Sequence, residues 1–156
     1  MSCCSVLRVV RTYLDIRRFC RKYHNHKIKS LEEARQTFEN DRFATKNGAY
    51  IDEISEGFCR CSMKITDDHR NALGGIMGGA IFTLADFAFA VASNDDHSPT
   101  VALDVNIHFL ASSKGNLLTA VAKRVKSGRT TSVFEITVTD ESGKEIALFI
   151  GTGYKL

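Results

Sequence analysis

The sequence predicts an α+β domain, an antiparallel sheet wrapped around one long central helix, and three observations carry that prediction. From Gly79 to Ala92 the chain is apolar almost without a break, Thr83 and Asp86 being the main exceptions. A run of that length reads as a buried helix, because strands are shorter. Behind it come four segments rich in Val, Ile, Thr and Phe, at 100–110, 116–127, 130–140 and 144–154, which is the composition of strands. Lys126-Ser127-Gly128-Arg129 and Asp140-Glu141-Ser142-Gly143 separate the last three as turns between antiparallel neighbours. One helix followed by a meander leaves the helix to bury itself on a face of the sheet. At 156 residues and 44% hydrophobic composition the chain can bury a core without metals or disulfides.

Taken in chain order, residues 1–28 form a basic N-terminal extension and 29–156 the domain. In the extension, Val6, Val9, Val10, Tyr13 and Leu14 recur at helical spacing between Arg8, Arg11, Arg17 and Arg18. That pattern suits an amphipathic helix packed on the domain, on a neighbouring subunit or on a membrane surface. Ser30-Leu31-Glu32-Glu33 has the spacing of a capping box, and Leu31, Ala34 and Phe38 make a short apolar face, so a helix runs to about Glu39 before Asn40 and Asp41 punctuate the chain. Residues 49–54 and 58–66 read as strands parted by Glu56-Gly57. In the second, Cys59, Cys61, Met63 and Ile65 alternate with Phe58, Arg60, Ser62 and Lys64. The long helix spans 78–93, Pro99 opens the next strand, and Gly151-Thr152-Gly153 near the end permits close backbone packing or a bulge.

Charge separates the two parts. Residues 1–30 hold eight Lys/Arg and one acid, whereas 31–156 hold thirteen Lys/Arg and seventeen acids, so the net +3 belongs to the extension. The folded domain is therefore a poor candidate for nucleic-acid binding, and no stable nucleic-acid or membrane partner is expected, weak contact with RNA or an anionic membrane being left to the arm. No apolar run reaches the length of a membrane span, and no compact apolar stretch follows the basic start, so a cytoplasmic location is expected. Cys3, Cys4, Cys20, Cys59 and Cys61 contain no CxxC pair and are odd in number, which favours reduced thiols over a disulfide framework. Cys3 and Cys4 read as surface thiols or a lipidation site. The five histidines are dispersed, and no metal or cofactor is expected.

Within the long helix one residue needs a reason. An unpaired buried carboxylate costs several kcal/mol, so Asp86 must face a polar cavity, accept strong hydrogen bonds or titrate with a raised pKa. The stretch leading to it runs from His69 and Asn71 through Gly74 and Met77 to Gly78, Gly79, Leu84 and Asp86. It resembles the signature of the phenylacetic-acid-degradation (PaaI-like) type of hotdog-fold thioesterase, His-x-Asn-x-x-Gly-x-x-His-Gly-Gly followed by a helix carrying Leu-x-Asp. Met77 stands in place of the second histidine. The likeness continues through the segment from Leu103 to Leu110 and on to the last strand, covering residues 31–156. It implies a hotdog fold and hydrolysis of acyl-coenzyme A thioesters to free acid and coenzyme A, the latter as part of the substrate rather than a cofactor.

Such chemistry needs a group that activates water or attacks directly, and donors for the developing oxyanion. Asp86 supplies the first, as general base or as nucleophile. The Gly78 amide, at the positive end of the helix, supplies the second, and the bare Gly78 and Gly79 leave room for the thioester. Asn71, by the resemblance, orients water or the substrate carbonyl. His69 reads as a loop-fixing residue. Gly78 and Asp86 lie eight residues apart, about 12 Å along a helix, so one carbonyl cannot touch both. A competent site then pairs Gly78 of one protomer with Asp86 of another, making a homodimer, paired again into a homotetramer, part of the expectation. Two departures from the family pattern bear on the rate. Met77 cannot donate the histidine's hydrogen bond and is instead placed to line an acyl pocket, and Ala102 stands where relatives often carry Ser or Thr. Phe82, with Phe87 and Phe89, is assigned to the acyl pocket or the core. Lys126 and Arg129, with Lys123, are assigned to coenzyme A phosphates or to a solvated strand end. The function expected is hydrolysis of small aromatic or medium-chain acyl-coenzyme A thioesters; the alternative is a noncatalytic acyl-coenzyme A-binding or regulatory protein.

Overall fold

The computed structural model describes residues 28, 30–95 and 99–156. Helix α1 (Leu31–Phe38) starts at Ser30, whose hydroxyl accepts the Glu33 N–H at 3.2 Å, as the capping pattern requires. A second helix, α2 (Arg42–Lys46), follows where the sequence suggests only punctuation. Its five residues are too few to display a period. It forms because Asp41 O accepts the Thr45 N–H at 3.0 Å and Ala44 is buried beneath it. Strands β1 (Ala49–Ser55) and β2 (Phe58–Lys64) make a hairpin, and helix α3 (Gly78–Ser93) precedes β3 (Thr100–Phe109), β4 (Leu117–Ser127), β5 (Thr131–Asp140) and β6 (Glu145–Lys155). The basic arm, with Cys3, Cys4, Cys20, His24 and His26, lies outside the described residues. Ile28 already belongs to the body: its N–H donates to Asp95 O at 2.9 Å and its side chain packs on the core.

The six strands form one antiparallel sheet in the order β1-β2-β4-β5-β6-β3. Period-two alternation puts Leu118, Ala120 and Ala122 of β4, Phe134, Ile136 and Val138 of β5, and Ala147 and Phe149 of β6 on the face that α3 covers. Leu84, Ala85, Ala88, Val91 and Ala92 of α3 are completely buried there. Phe89 wedges between Phe134 (centroids 5.6 Å) and Phe149 (6.1 Å). The glycines of β6 make that possible. A Cβ on Gly151 would stand 3.1 Å from the Phe89 ring, and one on Gly153 would stand 2.6 Å from Thr100 Cγ2. Gly151-Thr152-Gly153 therefore serves close packing, and the nearest bulge of the β3–β6 ladder falls on the partner strand between Ala102 and Asp104.

Two polar devices fix the ends of α3. The Asn94 side chain accepts the Thr100 N–H at 2.8 Å and donates to Thr100 O at 3.1 Å, tying the start of β3 to the helix C-terminus. At the other end, Ile76 N–H donates to Ser113 O at 3.3 Å, and Leu110 N–H to Ile146 O at 2.9 Å. Consequently β3 runs alongside α3 at an edge of the sheet, with β6 as its neighbour among the described residues.

Cys59 and Cys61 are both fully buried on the inner face of β2, reduced, with sulfurs 3.4 Å apart. Hydrogen bonding from the Cys59 thiol and then burial push the Cys61 thiol far above its ordinary range. Two outcomes follow. Leu84→Ala should cost about 2–5 kcal/mol in urea unfolding, the range for deleting a buried leucine. Peptide mapping after alkylation of the native protein should find Cys59 and Cys61 unmodified, and both should label once the chain is denatured.

Candidate active site

The segment leading into α3 is held by backbone and imidazole. Thr66 N–H donates to His69 Nδ1 at 3.0 Å, which makes Nδ1 the acceptor and leaves the proton on Nε2 to donate to Asn47 O at 2.9 Å. With both ring nitrogens engaged and the side chain buried, His69 is a loop lock. Its own carbonyl accepts the Met77 N–H at 2.8 Å. Arg70 and Ile76 pair as an isolated antiparallel bridge, and Arg70 donates to Gly115 O and Asn116 Oδ1. Asn71 Oδ1 accepts the N–H groups of Leu73 (3.0 Å) and Gly75 (3.2 Å), so the Asn71 carboxamide oxygen organises the loop and its NH2 is the part left to meet a ligand.

Helix α3 then begins without a cap. Met77 occupies the N-cap position and offers no side-chain acceptor; Ala80 and Ile81 donate back to Met77 O at 3.0 and 3.3 Å. Gly78 N–H and Gly79 N–H have no protein acceptor among the described residues. Ordinarily Ser, Thr or Asp would serve these donors. Here they remain at the positive end of a sixteen-residue helix, beside a groove of about 410 Å³ lined by Ile76, Gly78, Ile81, Phe109, Leu110 and Ser113. The groove wall is braced: Ser113 Oγ donates to Asp140 Oδ2 at 2.8 Å and accepts the Gly115 N–H at 3.0 Å. The Met77 thioether, half exposed, folds over Gly79, where a Cβ would stand 2.7 Å from its methyl group.

Asp86 lies on the one stripe of α3 that the fold leaves partly open, with Phe82, Thr83 and Ala90. The carboxylate makes no hydrogen bond or ion pair among the described residues. Of the three options open to such a group, it takes the last: burial, followed by the charge of Asp41 before α2, raises its pKa. Thr83, one turn earlier on the stripe, donates its hydroxyl to Gly79 O at 2.8 Å.

The remaining assigned residues divide. Ala102 sits in β3 opposite Gly153, beside the bulge. Phe82 is half-buried with its ring edge-on to Phe149 at 5.6 Å, so it anchors the helix as well as bordering the open stripe. Phe87 and Phe89 are core residues. Lys126 and Arg129 are exposed around the β4–β5 hairpin. That hairpin adjoins Tyr154 and Lys155, which neighbour Thr100, whereas the Gly78 groove adjoins the other end of β3 at Phe109. One protomer does not bring Lys126 and Arg129 to Gly78.

Comparison with known proteins agrees with this architecture. Residues 73–147 match the thioesterase superfamily. A putative esterase from Archaeoglobus fulgidus is 37% identical over 120 residues, 76% of this chain and 78% of that one. The acyl-coenzyme A thioesterase PaaI of Escherichia coli is 34% identical over 129 residues, 82% of this chain and 92% of its own. The chain belongs to the PaaI-like hotdog-fold thioesterases. The solved structure of Escherichia coli PaaI superposes with a TM-score of 0.76, covering 81% of this chain and 96% of that one at 32% identity. As a hotdog thioesterase the protein is a thioester hydrolase, and the sheet wrapped on α3 is the hotdog architecture.

Two neighbours of Asp86 escaped sequence reasoning. Thr83 could have been found, since it lies three residues before Asp86 on the same helical face. Asp41 carried no signal, because it reaches Asp86 only through tertiary packing. Asp86 yields a stability test. Its pKa is raised on folding, so its favourable contribution is complete below the unfolded carboxylate pKa and is lost as pH rises through the folded value. Asp86→Asn should therefore raise the melting temperature relative to the parent at pH 7, and the gap should close at about pH 3, below the ordinary carboxylate range.

Proposed function

We propose that this hotdog thioesterase hydrolyses acyl-coenzyme A thioesters with small aromatic or medium-chain acyl groups, using Asp86 as general base and the Gly78 amide to hold the oxyanion across a dimer interface. The observation that carries the reading is the uncapped start of α3, where Gly78 lines a groove and a carboxylate of raised pKa stands two turns along. The name of the Escherichia coli relative supports acyl-coenzyme A as the substrate class. The carboxylate takes a proton from water, and the water oxygen attacks the thioester carbonyl. The resulting oxyanion accepts from Gly78 N–H, aided by the helix end. Collapse breaks the C–S bond, and the proton held by the carboxyl passes to the departing thiolate. Asn71 supplies its NH2 to the water or the carbonyl.

The dimer follows from distance and from surface. About 12 Å of helix separates Gly78 from Asp86 in one chain. β3 is an edge strand with Val101 and Leu103 exposed. Such an edge invites antiparallel pairing with a second copy. Pairing of that kind sets Gly78 beside the partner subunit's Asp86, and it carries the partner subunit's Lys126 and Arg129 to the same end of the assembly as the groove, where coenzyme A phosphates would need them. The homodimer is proposed to pair again into a tetramer. Met77 and Ala102 leave the base with fewer hydrogen-bonding helpers than the family pattern supplies, which favours a slow enzyme.

Purified protein should release free coenzyme A from a thioester panel, and Asp86→Asn should reduce kcat about 10²–10⁴-fold, the range for a general base. Because the base must be ionised, kcat/KM should climb with pH to a plateau above the ordinary carboxylate range. A single turnover in ¹⁸O-water should place the label in the product acid; label in Asp86 would assign it as nucleophile instead. Mixing Asp86→Asn protomers with protomers carrying a bulky residue at Gly78 should restore about half the parental activity, since one of the two shared sites in each heterodimer is intact. Verified heterodimers without recovery would reject the shared site.

A further inference from the structure

Phe109 is the last residue of β3, paired with Ala147, and its ring reaches across to the first residue of α3. A Cβ built on Gly78 would lie 3.2 Å from the ring's Cζ, 3.4 Å from Cε1 and 3.7 Å from Cε2. The tip of the ring thus closes the side of Gly78 on which any other residue would carry its side chain. Phe109 is nonetheless 55% exposed and lines the groove with Ile76, Ile81 and Leu110. It is therefore a wall against which a ligand would press, and the catalytic scheme above does not use it.

We propose that Phe109 is a specificity-determining residue, a barrier beside the Gly78 amide that admits acyl groups with an unbranched carbon next to the carbonyl and excludes those branched there. The assignment rests on the hydrolytic reading for where the carbonyl sits. An oxyanion donor must approach the carbonyl oxygen to about 2.7–3.1 Å. The carbon next to the carbonyl is then one bond beyond the reacting centre and enters the space that the ring tip borders. Carbon atoms pack at about 3.5–4.0 Å. A methylene can lie flat against the ring edge, whereas a second substituent on that carbon needs the volume that Phe109 fills. Neighbouring Ile76 and Ile81 are buried, which limits relief from that side. Straight-chain and arylmethyl acyl groups share the methylene and are both accepted; isobutyryl and pivaloyl groups are not.

The test compares butyryl-, isobutyryl- and pivaloyl-coenzyme A, with the full chain as the enzyme. The parent should favour butyryl over isobutyryl in kcat/KM by about 10–200-fold, the range for one misplaced carbon in an apolar pocket. Phe109→Ala should shrink that ratio at least tenfold and Phe109→Leu should shrink it less; circular dichroism and light scattering check that each variant is folded and assembled. An unchanged ratio in folded, active Phe109→Ala overturns the assignment. Calorimetry with ketone analogues, in which CH2 replaces the thioester sulfur, separates this idea from the hydrolytic reading. If the parent hydrolyses none of the thioesters yet binds the butyryl ketone more tightly than the isobutyryl ketone, and Phe109→Ala abolishes the difference, hydrolysis falls and the barrier stands. Equal binding of the two ketones by the parent overturns the barrier whatever the rates.

Discussion

The packing of Phe89 between Phe134 and Phe149, under the glycines of β6, is the contact from which the rest of the structure takes its position. Aromatic side chains bury the largest areas available to a core, so this wedge sets both the height of α3 above the sheet and its rotation. Rotation decides which residues face the sheet and which face the open stripe. With Leu84, Ala88 and Val91 turned inward, Phe82, Thr83, Asp86 and Ala90 are left on the partly open stripe. Nothing specific to Asp86 places it there; the helix period does.

The same axis delivers the helix N-terminus to the groove. Its first two amides have no protein acceptor among the described residues, and a methionine stands at the capping position. A half-buried carboxylate with no hydrogen bond or ion pair among the described residues stands along the same helix. Each feature opposes stability when taken alone, since uncapped donors and desolvated charge are both unfavourable. In the proposed mechanism they become the oxyanion donor and the base, the pair that hydrolysis of a carbonyl requires. Rigidity around them comes from groups that do no chemistry. His69 pins the loop through both ring nitrogens and through its carbonyl to Met77, and the Ser113–Asp140 hydrogen bond braces the far wall. Four hydrogen bonds donated to the Asp140 carboxylate, by the hydroxyl and N–H of Ser142, the hydroxyl of Ser113 and the N–H of Lys144, hold it below the usual range and keep it ionised as that brace.

Separation along the helix is equally formative. Because the donor and the base are fixed on one rigid rod, no local rearrangement can bring them together, and the open edge of β3 becomes part of the functional design in the proposed dimer. That edge carries exposed apolar side chains where an isolated sheet would be expected to defend itself with charge. The Met77 side chain folded over Gly79 and Phe109 pressed to Gly78 show the groove mouth shaped by apolar groups rather than by hydrogen-bond donors.

The long apolar run, the alternation in the strands and the turn residues at 126–129 and 140–143 made the helix-on-sheet architecture legible in the sequence, because these signals are local and repeat with the period of the element they build. The motif from His69 to Asp86 was legible for the same reason: its residues share one loop and one helix. Asp86 was recognisable as anomalous from its apolar neighbours alone. The short α2 was not, since five residues hold less than two turns and owe their form to burial of Ala44. Nor could sequence order decide that Lys126 and Arg129 lie at the end of the sheet away from Gly78, that Phe82 is half core, or that Asp41 acts on Asp86. Those facts depend on strand order and on the rotation of α3, and both are set by long-range packing among residues up to dozens of positions apart. The sequence by itself determined the long helix, the strands and the anomaly of Asp86, whose signals are local, and the tertiary structure alone decided which side chains meet.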